Sequence, residues 1–292
     1  MFEGVHTALV TPFREDDGSL AEAALRELVE RQVAAGVDGI VPCGSTGESA
    51  TLSHAEHRRV VEVVVEAVRG RVQVIAGTGS NNTQEAIELT RHAKEAGADG
   101  ALLISPYYNK PTQQGIVEHF AMIARECGFP LVVYNIPGRT ASNILPETMA
   151  RLAAVEQIVG VKEACGDIHQ MARSIAACGS EFAFLSGDDA LTLPLLAIGG
   201  HGVITTVGNL VPAEMAELVR AFRGGDVERA RSLHYRILPL IDAIFCETNP
   251  IPVKAAVAML GLVPERIRLP LTPISGENRE RLRVLLKEFG LL

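Results

Sequence analysis

The sequence predicts an α/β fold: a parallel (β/α)8 barrel with a small C-terminal helical domain. Three observations point there: eight short β-rich apolar runs, amphipathic helical patterns between them, and a helix-only pattern after residues 223–226. The first run is VHTALVTPF (5–13), and SLAEAALRELVERQVAAG (19–36) follows with apolar residues at three- and four-residue spacing, a Ser start and a Gly stop. GIVPCG (39–44) leads to SHAEHRRVVEVVVEAVRG (53–70), which repeats the Ser start and Gly stop. VQVIAGTG (72–79), GALLISPYY (100–108), PLVVYNIPG (130–138), IVGVKEA (158–164), FAFLSGDD (182–189) and HGVITTVGN (201–209) complete the eight. Continuous apolar strands alternating with helices suit a parallel sheet covered on both faces, and eight of them without a composition break suit a closed barrel. The expected division is a barrel over 1–224 and a helical domain over 225–292.

Composition narrows the function classes. The chain has 292 residues, 47% hydrophobic and 21% charged, with a net charge of −8 and no basic stripe, so neither a nucleic acid nor an anionic membrane is an expected partner. No apolar stretch approaches the roughly 20 residues of a membrane span. The N-terminus MFEGVHTALVTPF lacks the basic flank and cleavage site of a signal peptide, so the expected compartment is the cytoplasm. Five cysteines without a C-x-x-C pair suggest reduced thiols rather than a disulfide framework or zinc cluster. HAEH (54–57) is not H-E-x-x-H, GDD (187–189) reads as a turn plus a helix N-cap, and no dinucleotide or phosphate-loop spacing occurs. No metal or cofactor is expected.

In a (β/α)8 barrel the reacting groups sit where strands end and βα loops begin. The only lysine at such a position is Lys162, in QIVGVKEACGD. Apolar walls would disfavour its charged form, leaving a nucleophilic amine suited to Schiff-base chemistry with a carbonyl. The alternative is a lysine paired with Glu163 or reaching out to solvent. Lys254 also lies in an apolar setting, but at a helix start outside the barrel, where a structural role is expected. Tyr134, Ser45, Thr46, Tyr107 and Tyr108 offer hydroxyls at strand ends for proton traffic. Tyrosines there also plug barrel mouths. GSTGE can form either an amide nest for a carboxylate or a plain tight turn, and Arg139 in PGRT can fork a carboxylate or sit on the surface.

GSTGES (44–49), SPYYNKP (105–111), YNIPGRT (134–140), GVKEACGD (160–167), SGDDA (186–190) and NPIPVK (249–254) together resemble the dihydrodipicolinate synthase family essentially end to end. That family lies within the pyruvate-dependent Schiff-base aldolase and lyase superfamily, which also holds N-acetylneuraminate lyase. The Lys-bearing strand and G-x-x-G-E are superfamily-wide, whereas YYN and PGRT are more specific. The resemblance implies condensation of pyruvate with L-aspartate 4-semialdehyde in the diaminopimelate route to lysine, with another class I aldolase of the superfamily as the alternative. It implies Lys162 as the imine-forming residue and a proton relay of Tyr134, Ser45 and Tyr108. Ser45 and Thr46 would hold the pyruvate carboxylate, Arg139 the semialdehyde carboxylate, and Gly187 and Ile204 would supply backbone around the imine. Ser45 departs from the family's usual threonine, keeping the hydroxyl but freeing its rotamer. Tyr107 and Tyr108 act across a subunit boundary in the family, so a homotetramer of two tight dimers is implied. L-Lysine is implied as an allosteric effector at Ser49, Ala50, His54, His57, Asn81, Glu85 and Tyr107. Against that stands the plain reading of these polar groups as solvated helix faces.

Overall fold

The structure, a computed structural model, describes residues 2–292. Strands β1 (Gly4–Ala8), β2 (Gly39–Val41), β3 (Gln73–Gly77), β4 (Gly100–Ile104), β5 (Leu131–Asn135), β6 (Ile158–Glu163), β7 (Ala183–Ser186) and β8 (Gly202–Thr205) pair in parallel in that order. The ring closes from β8 back onto β1. Helices α1 (Glu22–Ala34), α2 (His54–Val68), α3 (Thr83–Glu95) and α4 (Gln113–Cys127) follow the first four strands. The short α5 (Pro137–Thr140) and α6 (Pro146–Ala153) follow β5, α7 (Ile168–Cys178) follows β6, and α8 (Thr192–Ala197) and α9 (Pro212–Arg223) flank β8. The helical C-terminal region consists of α10 (Val227–Ile244), α11 (Ile251–Met259) and α12 (Gly276–Glu288).

The eight expected runs are the eight strands, but each strand stops short of the end of its run. The first run continues to Phe13 while β1 ends at Ala8. The extra apolar residues belong to the βα connections: Leu9, Val10 and Phe13 are buried without being part of the ladder. The second helix starts and stops as its residues suggest. Ser53 caps Glu56 N–H at 3.2 Å, and the Glu56 carboxylate accepts from Ser53 N–H at 2.9 Å, a complete capping box. The expected Ser cap on α1 does not form. Ser19 instead donates its hydroxyl to Asp17 at 2.7 Å, and α1 begins after Ala21 with no side-chain cap. Its stop is as expected, since Gly36 takes a left-handed φ of +78°.

Two cores result from the two faces of the sheet. Val41, Ile75, Leu102, Val132, Tyr134, Leu185 and Ile204 fill the barrel interior. The alternate residues, such as Leu131, Val133 and Val161, join the larger core under the helices. Period-two alternation therefore decides which way each strand-end side chain faces.

Candidate active site

Lys162 lies one residue before the end of β6. Its register partners are Tyr134 on β5 and Leu185 on β7, both members of the interior core, so the ammonium group is directed into the barrel. Lys162 is 5% exposed, and its Nζ lies 4.4 Å from the centre of the Tyr134 ring. Pairing with Glu163 is ruled out by the alternation. Glu163 faces the other way and accepts from Asn135 Nδ2 at 3.0 and 3.2 Å. Burial lowers the Lys162 pKa to about 8; Asp189 pulls it upward and Arg139 pushes it further down. Burial also pushes the Tyr134 phenol above its usual range, so that hydroxyl is a neutral proton donor near pH 7.

A small cavity of about 50 Å³ brings Lys162 and Tyr134 together with Ser45, Thr46, Arg139 and Gly187. Ser45 and Thr46 come from the turn after β2. The GSTGE segment forms the tight turn, with Gly47 N–H donating to Gly44 O at 3.0 Å and Glu48 N–H to Ser45 O at 3.2 Å. Gly187 is glycine for a steric reason: a Cβ there would stand 2.8 Å from Ala164 Cβ and 3.0 Å from Lys162 Cγ. Arg139, on α5, is anchored by donating from Nη2 to Asn249 O at 3.0 Å. Ile204 is buried in the interior core beside this cavity rather than in its lining. Tyr108 is the outlier. It is 88% exposed with φ +67° and lines neither this cavity nor the larger one described next, so within one chain it does not join Tyr134.

A larger cavity of about 580 Å³ reaches from Tyr134, Arg139 and Ser45 to Ser49, Ala50, His54, His57, Glu85 and Tyr107. His57 is no solvated helix face: it is buried, and its Nε2 lies 2.7 Å from Gly77 O. Burial lowers its pKa. His54 Nε2 lies 2.8 Å from Glu85 Oε1, and the Ser80 hydroxyl donates to the other oxygen of that carboxylate. Asn81 stands behind Tyr107, donating to its backbone carbonyl at 3.2 Å.

Several residues that shape this site are not among the candidates the sequence singles out. Asn249 precedes α11, far along the chain, yet its Nδ2 donates to Thr46 Oγ1 at 3.0 Å and it lines both cavities. Thr206 Oγ1 faces Thr46 Oγ1 at 3.5 Å. GDD is only partly a turn and cap. Asp188 accepts from Ala190 N–H at 3.0 Å as expected, but Asp189 is buried and its Oδ2 accepts from Thr206 N–H at 3.0 Å and Val207 N–H at 2.8 Å. Lys254 is structural, as expected. It is buried against Glu48, with which it forms an ion pair, and lies 4.1 Å from the Phe13 ring centre. Glu48 also accepts from Arg268 N–H at 3.1 Å.

Known proteins are similar to this chain along its whole length. The 4-hydroxy-tetrahydrodipicolinate synthase of Syntrophobacter fumaroxidans is 58% identical over 293 residues, covering 100% of both chains. The crystal structure of dihydrodipicolinate synthase from Aquifex aeolicus matches with a TM-score of 0.97 at 49% identity, covering 99% of each chain. The chloride-inhibited dihydrodipicolinate synthase of Acinetobacter baumannii complexed with pyruvate matches with a TM-score of 0.98 at 42% identity, covering 100% of both. The enzyme of Cyanidioschyzon merolae with lysine bound matches at 0.96 and 43% identity, covering 100% of this chain and 99% of that one. The model of the Dihydrodipicolinate synthetase family matches residues 1–289, and the chain belongs to that family.

Proposed function

We propose that this chain is a lyase that condenses pyruvate with L-aspartate 4-semialdehyde through a Schiff base on Lys162, as 4-hydroxy-tetrahydrodipicolinate synthases do. The observation that carries the reading is a buried lysine amine with its pKa lowered to about 8, facing a buried tyrosine inside a closed barrel. The free amine attacks the ketone carbon of pyruvate, and loss of water gives the imine. Loss of a methyl proton turns the imine into an enamine, whose carbon bonds to the aldehyde carbon of the semialdehyde. The amino group of that substrate then attacks the imine carbon, closes the ring and expels Lys162. The product keeps its hydroxyl, and water elimination need not occur on the enzyme.

Tyr134 carries protons to and from the amine, with Ser45 as its partner in the relay. Ser45 and Thr46 hold the pyruvate carboxylate, and Arg139 receives the semialdehyde carboxylate. Tyr108 completes the relay from a second copy of the chain; its near-complete exposure supports that placement and with it a homotetramer of two tight dimers. L-Lysine occupies the larger cavity, with Glu85 and Ser49 taking ammonium protons and Tyr107 the α-carboxylate. Continuity of this cavity with Tyr134 and Arg139 supports an effect of lysine on turnover. Among the described residues no helix is long and apolar enough to cross a membrane, and the cytoplasm remains the proposed compartment.

Borohydride reduction in the presence of pyruvate, followed by peptide mapping, tests the imine. Label is expected on GVKEACGD, and label on Lys254 would overturn the assignment. Turnover with pyruvate should be fastest with L-aspartate 4-semialdehyde among that aldehyde and the acceptor aldoses of sialic acid and keto-deoxy sugar acid aldolases. Preference for an aldose would overturn the substrate.

A further inference from the structure

The side of β5 and β6 turned away from the reacting pair carries a second pair. Asn135 follows Tyr134, Glu163 follows Lys162, and the two are register partners one rung further on. Both side chains are fully buried. Asn135 Nδ2 donates to both carboxylate oxygens of Glu163, and Cys165 N–H donates to Oε1 at 2.9 Å. Asn135 Oδ1 accepts from Ile144 N–H at 3.0 Å, and its Nδ2 also reaches Asn143 Oδ1 at 3.0 Å. Asn143 in turn donates to Gln170 on α7 at 2.8 Å. The backbone joins in: Ala164 N–H donates to Asn135 O at 2.8 Å, and Gly187 N–H to Glu163 O at 2.7 Å.

Among the described residues no cation pairs with this carboxylate, and a buried carboxylate without a cation is costly to keep. Burial pushes the Glu163 carboxyl up to about 7, while the hydrogen bonds from Asn135 and Cys165 hold it down. The groups that face it are the neutral Asn135 amide and the Cys165 thiol, itself pushed up to about 12 by burial and then by Glu163. An apolar pair would leave the Ile144 and Cys165 N–H groups without these acceptors, but a neutral amide at 163 could accept there without a buried charge, so the carboxylate calls for another explanation.

We infer that Glu163 is a positioning residue for the Schiff-base reaction: by clamping Asn135 from the helix side of the barrel wall, it fixes the ends of β5 and β6 so that Tyr134 and Lys162 hold a reactive separation on the inner side. The inference rests on Lys162 and Tyr134 being the reacting pair. Glu163 touches no substrate. Its carbonyl also seats Gly187, whose Cα hydrogens pack on the Lys162 stem, so the same residue bounds the lysine from a second side.

Glu163→Gln keeps the shape and breaks the match, because an amide NH2 then meets the Asn135 NH2. With its oxygen kept on the Cys165 N–H, the Gln still accepts from Asn135 on that side and loses the 3.2 Å hydrogen bond on the other to an NH2–NH2 contact; turning the amide over to relieve it loses the Cys165 hydrogen bond. Misplacement of a reacting group by a fraction of an ångström lowers kcat without weakening ground-state binding, so Glu163→Gln should lower kcat about ten-fold or more with pyruvate KM within about two-fold. Adding Asn135→Asp gives that NH2 an acceptor and, with the Asn143 and Gln170 amides turned over together so that Asn143 donates to the new carboxylate, should recover most of the loss. Asn135→Ala, which removes the donor but leaves the carboxylate, is the second single variant and should show the same split if Glu163→Gln does not fold. Single variants with kcat within about two-fold of wild type, or a swapped double variant no better than the singles, would overturn the inference. Borohydride trapping of pyruvate on the wild type is the control: failure there removes the Schiff-base reading itself, whereas normal trapping with indifferent variants removes only the role of Glu163.

Discussion

Imine formation at Lys162 should switch on as pH rises through about 8. Only the unprotonated amine attacks a ketone. With a pKa of about 8, roughly 9% of the lysine is free at pH 7, against about 0.03% for an unperturbed lysine, a gain of about 300-fold in reactive amine. The rate of borohydride-trapped imine, measured at limiting pyruvate from pH 6 to 10, should fall about ten-fold per unit below 8 and level off above it. Two substitutions should move that midpoint in opposite directions. Asp189→Asn removes a charge that opposes burial and should lower it, and Arg139→Ala removes one that reinforces burial and should raise it. The same shift has a sign for stability. The lysine pKa is lower folded than unfolded, so between about 8 and 10.5 the unfolded chain binds more protons and the native state gains stability with pH. Lys162→Met should reduce that slope, leaving the part due to Lys254, whose pKa burial also lowers to about 8. A midpoint near 10.5, or both variants shifting it the same way, would refute the reasoning.

Tyr134→Phe keeps the buried ring and removes the proton carrier, so kcat should fall roughly 10²–10⁴-fold with little change in pyruvate KM in steady-state assays. Glu48→Gln leaves the Lys254 ammonium buried without its counter-charge and should cost about 3–5 kcal/mol in denaturant unfolding, whereas replacing both partners with apolar residues of similar volume should cost far less. Calorimetric titration should detect L-lysine binding to the wild type and a loss of affinity in Glu85→Ala. No binding at millimolar lysine, or inhibition unchanged by that substitution, would remove the effector proposal.

The barrel was legible because parallel strands covered on both faces read as unbroken apolar runs, and because lysine, tyrosine and arginine are conspicuous where such runs end. The same property blurred the strand boundaries, since Leu9, Val10 and Phe13 are as apolar as the strand they follow but pack in a connection. Ser19 reads as the cap of α1 because the sequence does not show that its hydroxyl bonds Asp17 and that the helix begins only after Ala21. Asp189 reads as turn chemistry, and nothing local distinguishes it from Asp188: only the arrival of Thr206 and Val207 from beyond β8 makes one carboxylate a buried acceptor and leaves the other a cap. Asn249 was out of reach for a different reason. It precedes a tail helix, and its meeting with Thr46 is a property of the closed molecule rather than of either segment.

That meeting has a consequence in time. The turn bearing Ser45 and Thr46 is held by partners 203 to 220 positions later in the chain: Asn249 on Thr46, Lys254 and the Arg268 amide on Glu48. All eight strands leave the ribosome before any of these partners does. A growing chain can therefore close its barrel and expose Lys162 while the loop that would hold pyruvate still lacks its fastenings. The turn beside Lys162 is fastened only when α11 and the segment after it dock, later than the strands that carry the lysine.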